Sequence, residues 1–172
     1  VTKDGIVKRV HINEFQRIRQ SGKIAICLKD NDQLVQVKLT RGNDQILIAA
    51  SNGKLVRFEE SNVRPMGRIS SGVKGINVDG SEVVGMTTDK EGKYILVVTE
   101  RGYGKMSPLE EYRLSNRGGK GVKTIHTTER NGKIVALRAV NGDEDLLIIT
   151  DDGITNGTSN NCWSSYSRGT FD

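Results

Sequence analysis

The stretch Ile48-Ala49-Ala50-Ser51-Asn52-Gly53 has altered copies at Val97-Val98-Thr99-Glu100-Arg101-Gly102 and Ile148-Ile149-Thr150-Asp151-Asp152-Gly153. In each, an apolar run leads into polar residues and a glycine, and Val1-Thr2-Lys3-Asp4-Gly5 shows the end of the same pattern. The four glycines are separated by 48, 49 and 51 residues. A period of about fifty residues indicates a chain built from repeated supersecondary units.

The first three copies continue beyond the glycine in one order. Residues that include Lys or Arg come first, then a glycine-containing basic segment, and then a closing apolar stretch. The basic segments are residues 17–23, 68–75 and 113–121, and the closing stretches are residues 33–37, 82–86 and 133–137. These landmarks divide the chain into copy 1 (1–43), copy 2 (44–92), copy 3 (93–143) and the start of a fourth copy (144–154).

Short alternating runs of β-branched residues, separated by Asn-Gly and Asp-Gly pairs, predict strands joined by tight hairpins. We expect about four strands in each copy, with Ile24, Ile26 and Val37 among the strand residues of copy 1 and Ile76 and Val78 among those of copy 2. Residues 11–15, 59–63 and 108–112 are predicted to be loops or single turns. The fold class is therefore all-β, and four-stranded units at this period are typical of a propeller. We predict about three complete blades and a partial one.

The pattern breaks after the fourth glycine. Residues 155–172 are rich in Ser and Asn and contain the single tryptophan of the chain, Trp163. We predict a poorly ordered tail that does not belong to the repeat, as a truncated or shifted reading frame would produce. A well-packed Trp163 would contradict this interpretation.

Basic residues are concentrated in two of the copies. The chain has 26 Lys and Arg against 21 Asp and Glu, a net charge of +5. Copy 1 has 9 basic and 4 acidic residues, and copy 3 has 10 and 5. Because the basic segments recur at one place in the repeat, stacked copies would align them along one edge. We call the following ten residues the basic rim: Arg17, Arg19, Lys23, Arg64, Arg68, Lys74, Arg113, Arg117, Lys120 and Lys123.

A curved row of cations suits a phosphate backbone, because each neutralised phosphate releases condensed counterions whatever the base sequence. Glycines beside the cations allow close approach and expose backbone N–H donors. Two alternatives remain at this point. The charges could be solvated surface groups that keep a β-protein soluble and its strand edges unpaired, or they could bind acidic protein partners.

The sequence contains no recognisable catalytic or metal-binding set. His11 and His126 lie in different copies without a partner at catalytic spacing. Residues 30–32 and 151–153 lack the later glutamate of a calcium loop and are predicted to be turns. No apolar run is long enough for a membrane span. Two isolated cysteines, Cys27 and Cys162, predict unpaired thiols in a reducing cytosol. The start of the chain, without Met or a signal peptide, suggests an interior fragment.

The string Glu100-Arg101-Gly102-Tyr103-Gly104-Lys105, followed by Glu111-Tyr112-Arg113, Asn116-Arg117-Gly118-Gly119-Lys120-Gly121-Val122-Lys123-Thr124 and Thr128-Glu129-Arg130-Asn131-Gly132, resembles the C-terminal domain family of DNA gyrase A. The resemblance covers residues 1 to about 154. It implies a six-bladed β-pinwheel, a propeller-like ring whose blades exchange strands, with a basic outer rim that binds and wraps double-stranded DNA.

The same resemblance implies a non-catalytic part of a type II topoisomerase that supports ATP-dependent negative supercoiling. The expected partners are DNA, the rest of gyrase A, and gyrase B, in the cytoplasm and on the nucleoid. The family's DNA-cutting tyrosine, ATP and Mg²⁺ belong to other parts of the enzyme, so no cofactor is expected in this segment. None of Tyr94, Tyr103, Tyr112 and Tyr166 is expected to be the nucleophile.

The resemblance is incomplete at the family's hallmark heptapeptide. Asn116 stands where that heptapeptide has Gln, and the match falls in copy 3 rather than in the first blade. We therefore expect the blade with the Gln-led sequence before Val1. One alternative is the related domain of topoisomerase IV, which lies in the subunit that corresponds to gyrase A and has a weaker repeat. A propeller used as a protein-interaction scaffold is another.

Overall fold

A computed structural model describes residues 1–149 and the backbone of Thr155–Thr158. These residues form short strands, all of whose pairings with one another are antiparallel. In chain order the strands are β1 (Ile6–Val7), β2 (Gln45–Ala50), β3 (Lys54–Glu59), β4 (Val73–Lys74), β5 (Val83–Thr88), β6 (Tyr94–Thr99), β7 (Gly104–Pro108), β8 (Val122–Lys123), β9 (Ile134–Val140), β10 (Leu146–Ile149) and β11 (Thr155–Thr158). The all-β prediction is confirmed.

The helical residues of the described chain form single 3₁₀ turns at Ile12–Phe15, Glu60–Asn62 and Leu109–Glu111. They lie in the three stretches that the sequence analysis predicted to be loops or single turns, one in each copy. In the described part of the chain, no helix has the length or the apolar character needed to cross a membrane.

The sheets exchange strands between copies. The central sheet has the order β5-β2-β3-β8, in which β8 comes from copy 3 and the other strands from copy 2. Its register pairs Lys54 with Lys123 and Leu55 with Val122. In the same way β4 of copy 2 pairs with β1 of copy 1. The basic segments of copies 2 and 3 thus each lead into a strand that joins the sheet of the preceding copy, which is the strand exchange of a pinwheel.

The hydrophobic core consists of two clusters, one on each face of the central sheet. Alternate residues of β2 enter different clusters because successive side chains of a strand point to opposite faces. Ile46 and Ile48 pack toward copy 1, and Leu47 and Ala49 pack toward copy 3. Since both faces are covered, β2 is apolar along nearly its whole length, as expected for a strand buried on both faces.

Two glycines allow the exchanged strands to approach their neighbours. Gly72 precedes β4 and Gly121 precedes β8, and both have positive φ, +95° and +76°. A Cβ atom on Gly72 would lie 2.5 Å from the carbonyl oxygen of Val7, and one on Gly121 would lie 2.4 Å from that of Leu55. The same backbone crossing therefore requires glycine at equivalent positions of two copies.

The prediction of about four strands in each copy is wrong for copy 1. Ile24, Ile26 and Val37 lie outside strands, and Ile24 and Val37 are 65% and 73% exposed. In copies 2 and 3 the chain at the basic segment pairs with a strand of the preceding copy, β1 or β3, whereas the corresponding stretch of copy 1 has no strand partner among the described residues. The closing stretch of copy 1 lies against residues 1–3 through backbone hydrogen bonds such as that from the N–H of Val35 to the carbonyl oxygen of Val1 at 3.0 Å, but its β-pairing is limited to an isolated bridge between Thr2 and Leu34. In copy 2, Ile76 and Val78 also lie outside strands, since they come after Lys74, the last residue of β4.

Two further sheets complete the described structure. The sheet of copy 3 has the order β7-β6-β9, and β10 pairs with β11 as a hairpin. The pairing of Ile149 with Thr155 carries the hairpin past residue 154, so four residues assigned to the tail form a strand. The remaining tail, including Trp163 and Cys162, lies outside the described residues.

Candidate nucleic-acid interface

The basic segments of copies 2 and 3 lie side by side. The Nη1 group of Arg117 donates to the carbonyl oxygen of Lys74 at 3.0 Å. Next to it the backbone N–H of Gly118 donates to the carbonyl oxygen of Gly75 at 2.6 Å, and the N–H of Asn77 donates to that of Gly119 at 2.8 Å. Three hydrogen bonds thus fix the spacing between these two segments.

The basic segment of copy 2 is joined in a similar way to the residues that directly follow the basic segment of copy 1. The Nη1 group of Arg68 donates to the carbonyl oxygen of Ile24 at 3.0 Å, and the N–H of Cys27 donates to that of Ser70 at 3.2 Å. Arg68 and Arg117, 49 residues apart in the sequence, thus both reach the preceding copy, Arg117 within its basic segment and Arg68 at Ile24, the residue directly after it. The three basic segments therefore form one continuous strip, which we call the rim strip.

Six of the ten basic-rim residues are exposed and have no side-chain hydrogen bond or ion pair within the described residues. They come from all three copies: Arg17, Arg19, Arg64, Lys74, Arg113 and Lys123. Their charges are available to an external anion without the loss of an internal partner.

The other four basic-rim residues have partners inside the protein. Arg117 also donates through Nε to the carbonyl oxygen of Asn62 at 2.9 Å, and Arg68 donates as described above. Lys23 donates to the carbonyl oxygen of Gln16 at 2.6 Å, and the Nζ of Lys120 lies 3.5 Å from Oδ2 of Asp79. These side chains hold the rim strip in shape, a role that the sequence analysis did not distinguish from anion binding.

A second set of cations follows Gly5, Gly53 and Gly102, the glycines that end the repeated apolar runs. These cations have a structural role that was not expected from the sequence. Lys8 Nζ donates to the carbonyl oxygens of Ala25 at 2.7 Å and Ser70 at 2.9 Å, and also to that of Arg68. Burial lowers the pKa of this amine, and the charge of Arg68 lowers it further. A single ammonium group thus joins copies 1 and 2 directly beneath the rim strip.

The later copies also have such cations; that of copy 2 links two copies, and that of copy 3 bonds within its own copy. Arg57 Nη1 donates to the carbonyl oxygens of Leu109 at 2.9 Å and Tyr112 at 3.0 Å, which ties copy 2 to the 3₁₀ turn of copy 3. Lys105 Nζ donates to the carbonyl oxygen of Thr124 at 3.1 Å. The recurrence of Lys or Arg three or four residues after each turn glycine was the available sequence signal.

Glu60 is a buried carboxylate at the junction of copies 1 and 2, 4% exposed. Its Oε1 accepts from Arg9 Nη1 at 3.0 Å and from the hydroxyl of Thr40 at 3.1 Å. Its Oε2 accepts from the backbone N–H groups of Gly42 at 3.0 Å and Asp44 at 3.2 Å. Burial alone would raise the pKa of Glu60, but these donors outweigh it and hold the pKa below its ordinary value.

The described residues offer a charged surface along the basic segments. Within residues 1–149 no three or more side chains of His, Cys, Asp and Glu are grouped so that they could hold a metal ion. His11 and His126 are exposed. Residues 29–32 form a turn closed by a hydrogen bond from the N–H of Asp32 to the carbonyl oxygen of Lys29. The chemistry available on the rim strip is electrostatic attraction and hydrogen bonding to an anion.

The sequence and the fold both match known proteins. The model of the DNA gyrase C-terminal domain, described as a β-propeller, matches residues 1–41, 44–88 and 93–141, one range in each copy. DNA gyrase A of Staphylococcus epidermidis is 53% identical over 156 residues, and that of Staphylococcus aureus is 51% identical. Each alignment covers 89% of this chain and 18% of the relative. The chain thus spans less than one fifth of these proteins.

Solved structures show the same fold. A C-terminal domain of DNA topoisomerase IV superposes with a TM-score of 0.86 at 27% identity, covering 94% of this chain and 51% of that structure. A C-terminal domain of DNA gyrase A superposes with a TM-score of 0.81 at 24% identity, covering 94% of this chain and 54% of that structure. With the strand exchange and the family match over all three copies, these likenesses confirm the resemblance seen in the sequence: the chain belongs to the family of DNA gyrase C-terminal β-propeller domains.

Proposed function

We propose that this chain is a non-catalytic module that binds and wraps double-stranded DNA on its rim strip. The observation that carries the proposal is the joining of three basic segments, by hydrogen bonds between copies, into one strip with six cations that have no partner within the described residues. The strip exposes charge along an edge, which suits a phosphate backbone bound without regard to base sequence.

The free-energy cost of bending DNA along the rim strip is modest. Smooth bending of a 20–30 bp duplex by 40–90° costs about 1–6 kcal/mol, which distributed contacts must offset. Each phosphate neutralised lowers log K by about 0.9 per tenfold rise in salt. If each of the six unpaired cations contacts one phosphate, the slope of log K against log salt would reach about −5.

We assign the chain to the DNA-wrapping part of a gyrase A protein. In that assignment its partners are the rest of gyrase A, together with gyrase B, and wrapped DNA supports ATP-dependent negative supercoiling by the whole enzyme. ATP and Mg²⁺ act elsewhere in that enzyme, and this segment requires no cofactor. The site of action would be the bacterial cytoplasm, on the nucleoid. The support is the identity with staphylococcal gyrase A proteins, of which this chain covers 18%.

The experiment is a salt titration of duplex binding with two matched double variants. Lys74→Gln with Lys123→Gln removes two unpaired cations from the exchanged strands β4 and β8, and we expect the slope to flatten by about 2 units. Lys90→Gln with Lys93→Gln removes the same charge from the exposed loop between β5 and β6, outside the basic segments in sequence, where Lys90 lies 3.0 Å from Asp89. The second variant should leave the slope close to that of the wild type.

Two results would contradict the proposal. An equal change in both variants would mean that overall charge, and not the rim strip, determines binding. Failure of the unaltered chain to bind random duplex would favour a protein-interaction scaffold. Wrapping itself is measured by relaxing a closed plasmid in the presence of the protein, because a wrapped duplex leaves a change in linking number after the protein is removed.

A further inference from the structure

One carboxylate oxygen on the rim strip lies between two ammonium groups. Oδ2 of Asp79 is 3.5 Å from Nζ of Lys54 and 3.5 Å from Nζ of Lys120. Both distances exceed the roughly 2.7–2.9 Å of a tight charge-assisted hydrogen bond. The side chain of Asp79 is 50% exposed and that of Lys120 is 65% exposed. Two cations therefore face a single anionic oxygen at a place that solvent can reach.

A third lysine adjoins this pair. Lys54 on β3 is the register partner of Lys123 on β8, and directly opposed residues of an antiparallel pair project from the same face with Cβ atoms about 5 Å apart. Lys120 lies three residues earlier, in the segment that leads into β8. The exchange of β8 into the central sheet thus brings together lysines from two different copies of the repeat.

The backbone holds Asp79 in this position. Its φ is +53°, in the left-handed region that non-glycine residues rarely adopt. Its N–H donates to Oδ1 of Asn77 at 3.3 Å, and the N–H of Asn77 donates to the carbonyl oxygen of Gly119 at 2.8 Å. The turn that presents the carboxylate is therefore anchored to the same basic segment that supplies Lys120. The charges of Lys120 and Lys54 lower the pKa of Asp79, so the carboxylate stays ionised at neutral pH.

The equivalent junction between copies 1 and 2 does not repeat this arrangement. There Ile6 is the register partner of Lys74, in the place that Lys54 takes opposite Lys123. Ser71 stands in the place of Lys120, one residue before the glycine of the strand crossing. The three-lysine group is thus a feature of the junction between copies 2 and 3.

Building on the DNA binding proposed above, we propose that Lys54, Lys120 and Lys123 form a phosphate-binding site and that Asp79 is its internal competitor. The carboxylate oxygen takes the place of a phosphate oxygen between the lysines. It holds the two long side chains together in the free protein, and it repels and must release an incoming phosphate. Asp79 thereby limits how tightly the rim strip binds DNA, and Lys54, outside the basic rim, is a DNA contact.

The test compares the full chain with two variants that each remove one negative charge. Asp79→Asn vacates the site, and asparagine tolerates the left-handed backbone well. If one more phosphate is then bound, the salt slope steepens by about 0.9, and duplex affinity at 0.1 M salt rises about eightfold. Glu110→Gln removes an exposed carboxylate that has no ion-pair partner among the described residues. It should leave the slope unchanged.

A coupled variant identifies the lysines as the cause. In a background of Lys54→Gln with Lys120→Gln, the Asp79→Asn substitution should give no gain in affinity. Circular dichroism melts of every variant confirm that each is folded. An equal rise for Asp79→Asn and Glu110→Gln, or a gain that persists without the two lysines, overturns the inference.

The outcomes also separate this inference from the proposed function. Normal binding by the wild type with no change on Asp79→Asn overturns the phosphate site alone. Absence of duplex binding by both the wild type and Asp79→Asn overturns the proposed function, and this inference with it. Weaker binding by the wild type than by Asp79→Asn, with both binding duplex, would support the competitor role directly.

Discussion

Substitution of Gly121 by alanine tests whether exchanged strands hold the copies together. Gly121 has φ +76°, and a Cβ atom there would lie 2.4 Å from the carbonyl oxygen of Leu55 and 2.6 Å from its carbonyl carbon. Leu55 is fully buried in the core between copies 2 and 3, so β3 cannot retreat. The added methyl group must therefore push β8 away from the central sheet.

The matched control is Gly80→Ala. Gly80 has nearly the same φ, +79°, but no atom lies within 4 Å of a Cβ built there. Both alanines carry the left-handed strain of about 1–2 kcal/mol. Only Gly121→Ala also loses hydrogen bonds between β3 and β8, each worth about 0.5–1.5 kcal/mol. We therefore expect a loss of about 3–4 kcal/mol in the free energy of unfolding for Gly121→Ala, against about 1–2 kcal/mol for Gly80→Ala.

The assay is urea denaturation followed by far-UV circular dichroism. Gly72→Ala, where a Cβ atom would lie 2.5 Å from the carbonyl oxygen of Val7, should behave like Gly121→Ala because β4 crosses β1 in the same way. Equal losses for Gly121→Ala and Gly80→Ala, within about 0.5 kcal/mol, would refute the reasoning. They would mean that the pairing of β8 with β3 adds little to the stability of the chain.

Two further predictions concern the junction of copies 1 and 2. Phe58 is fully buried, so Phe58→Ala should lower the free energy of unfolding by about 3–5 kcal/mol, measured by the same denaturation; a loss below about 1 kcal/mol would show that the site collapses around the cavity. The stability that Glu60 contributes is present above its ordinary pKa of 4.5 and is lost as pH falls through the lowered folded pKa. Glu60→Gln should remove this acid-dependent part and cost about 1–3 kcal/mol at pH 7, because an amide N–H₂ would then face donor groups. An unchanged profile of stability against pH between about 3 and 7 would contradict the role assigned to the carboxylate.

The repeat could be predicted from the sequence because each copy uses the same turn glycine and the same pattern of apolar strand residues. The glycine that ends each apolar run closes the hairpin between β2 and β3 and between β6 and β7, with Gly53 and Gly102 at positive φ. Short apolar runs rich in β-branched residues located β2, β5, β6 and β9, whose side chains contribute to the two core clusters. Local turn chemistry and strand periodicity are properties of a short window, so these elements could be predicted.

The pairing of strands from different copies could not be predicted from such short windows of sequence. The stretch that follows the basic segment of copy 1 has alternating apolar residues as expected for a strand, yet Ile24 and Ile26 have no strand partner among the described residues. Likewise the sequence gives no basis for assigning different roles to Arg117 and Lys123, which are both cations of the basic rim. Only the structure shows that Arg117 donates to two backbone carbonyls while Lys123 remains exposed. Both distinctions depend on contacts between different copies of the repeat.

The net charge of the chain is only +5. Binding of a polyanion therefore depends on where the basic-rim cations lie and on which of them have no partner inside the protein. Lys74 and Lys123 lie on β4 and β8, and each of these strands is inserted into the sheet of the preceding copy. Their spacing is therefore fixed by packing between copies rather than by flexible loops. Cations held at a fixed spacing lose less conformational entropy on binding than cations on mobile segments. It follows that Gly121→Ala, which removes no charge, should weaken DNA binding by releasing Lys123.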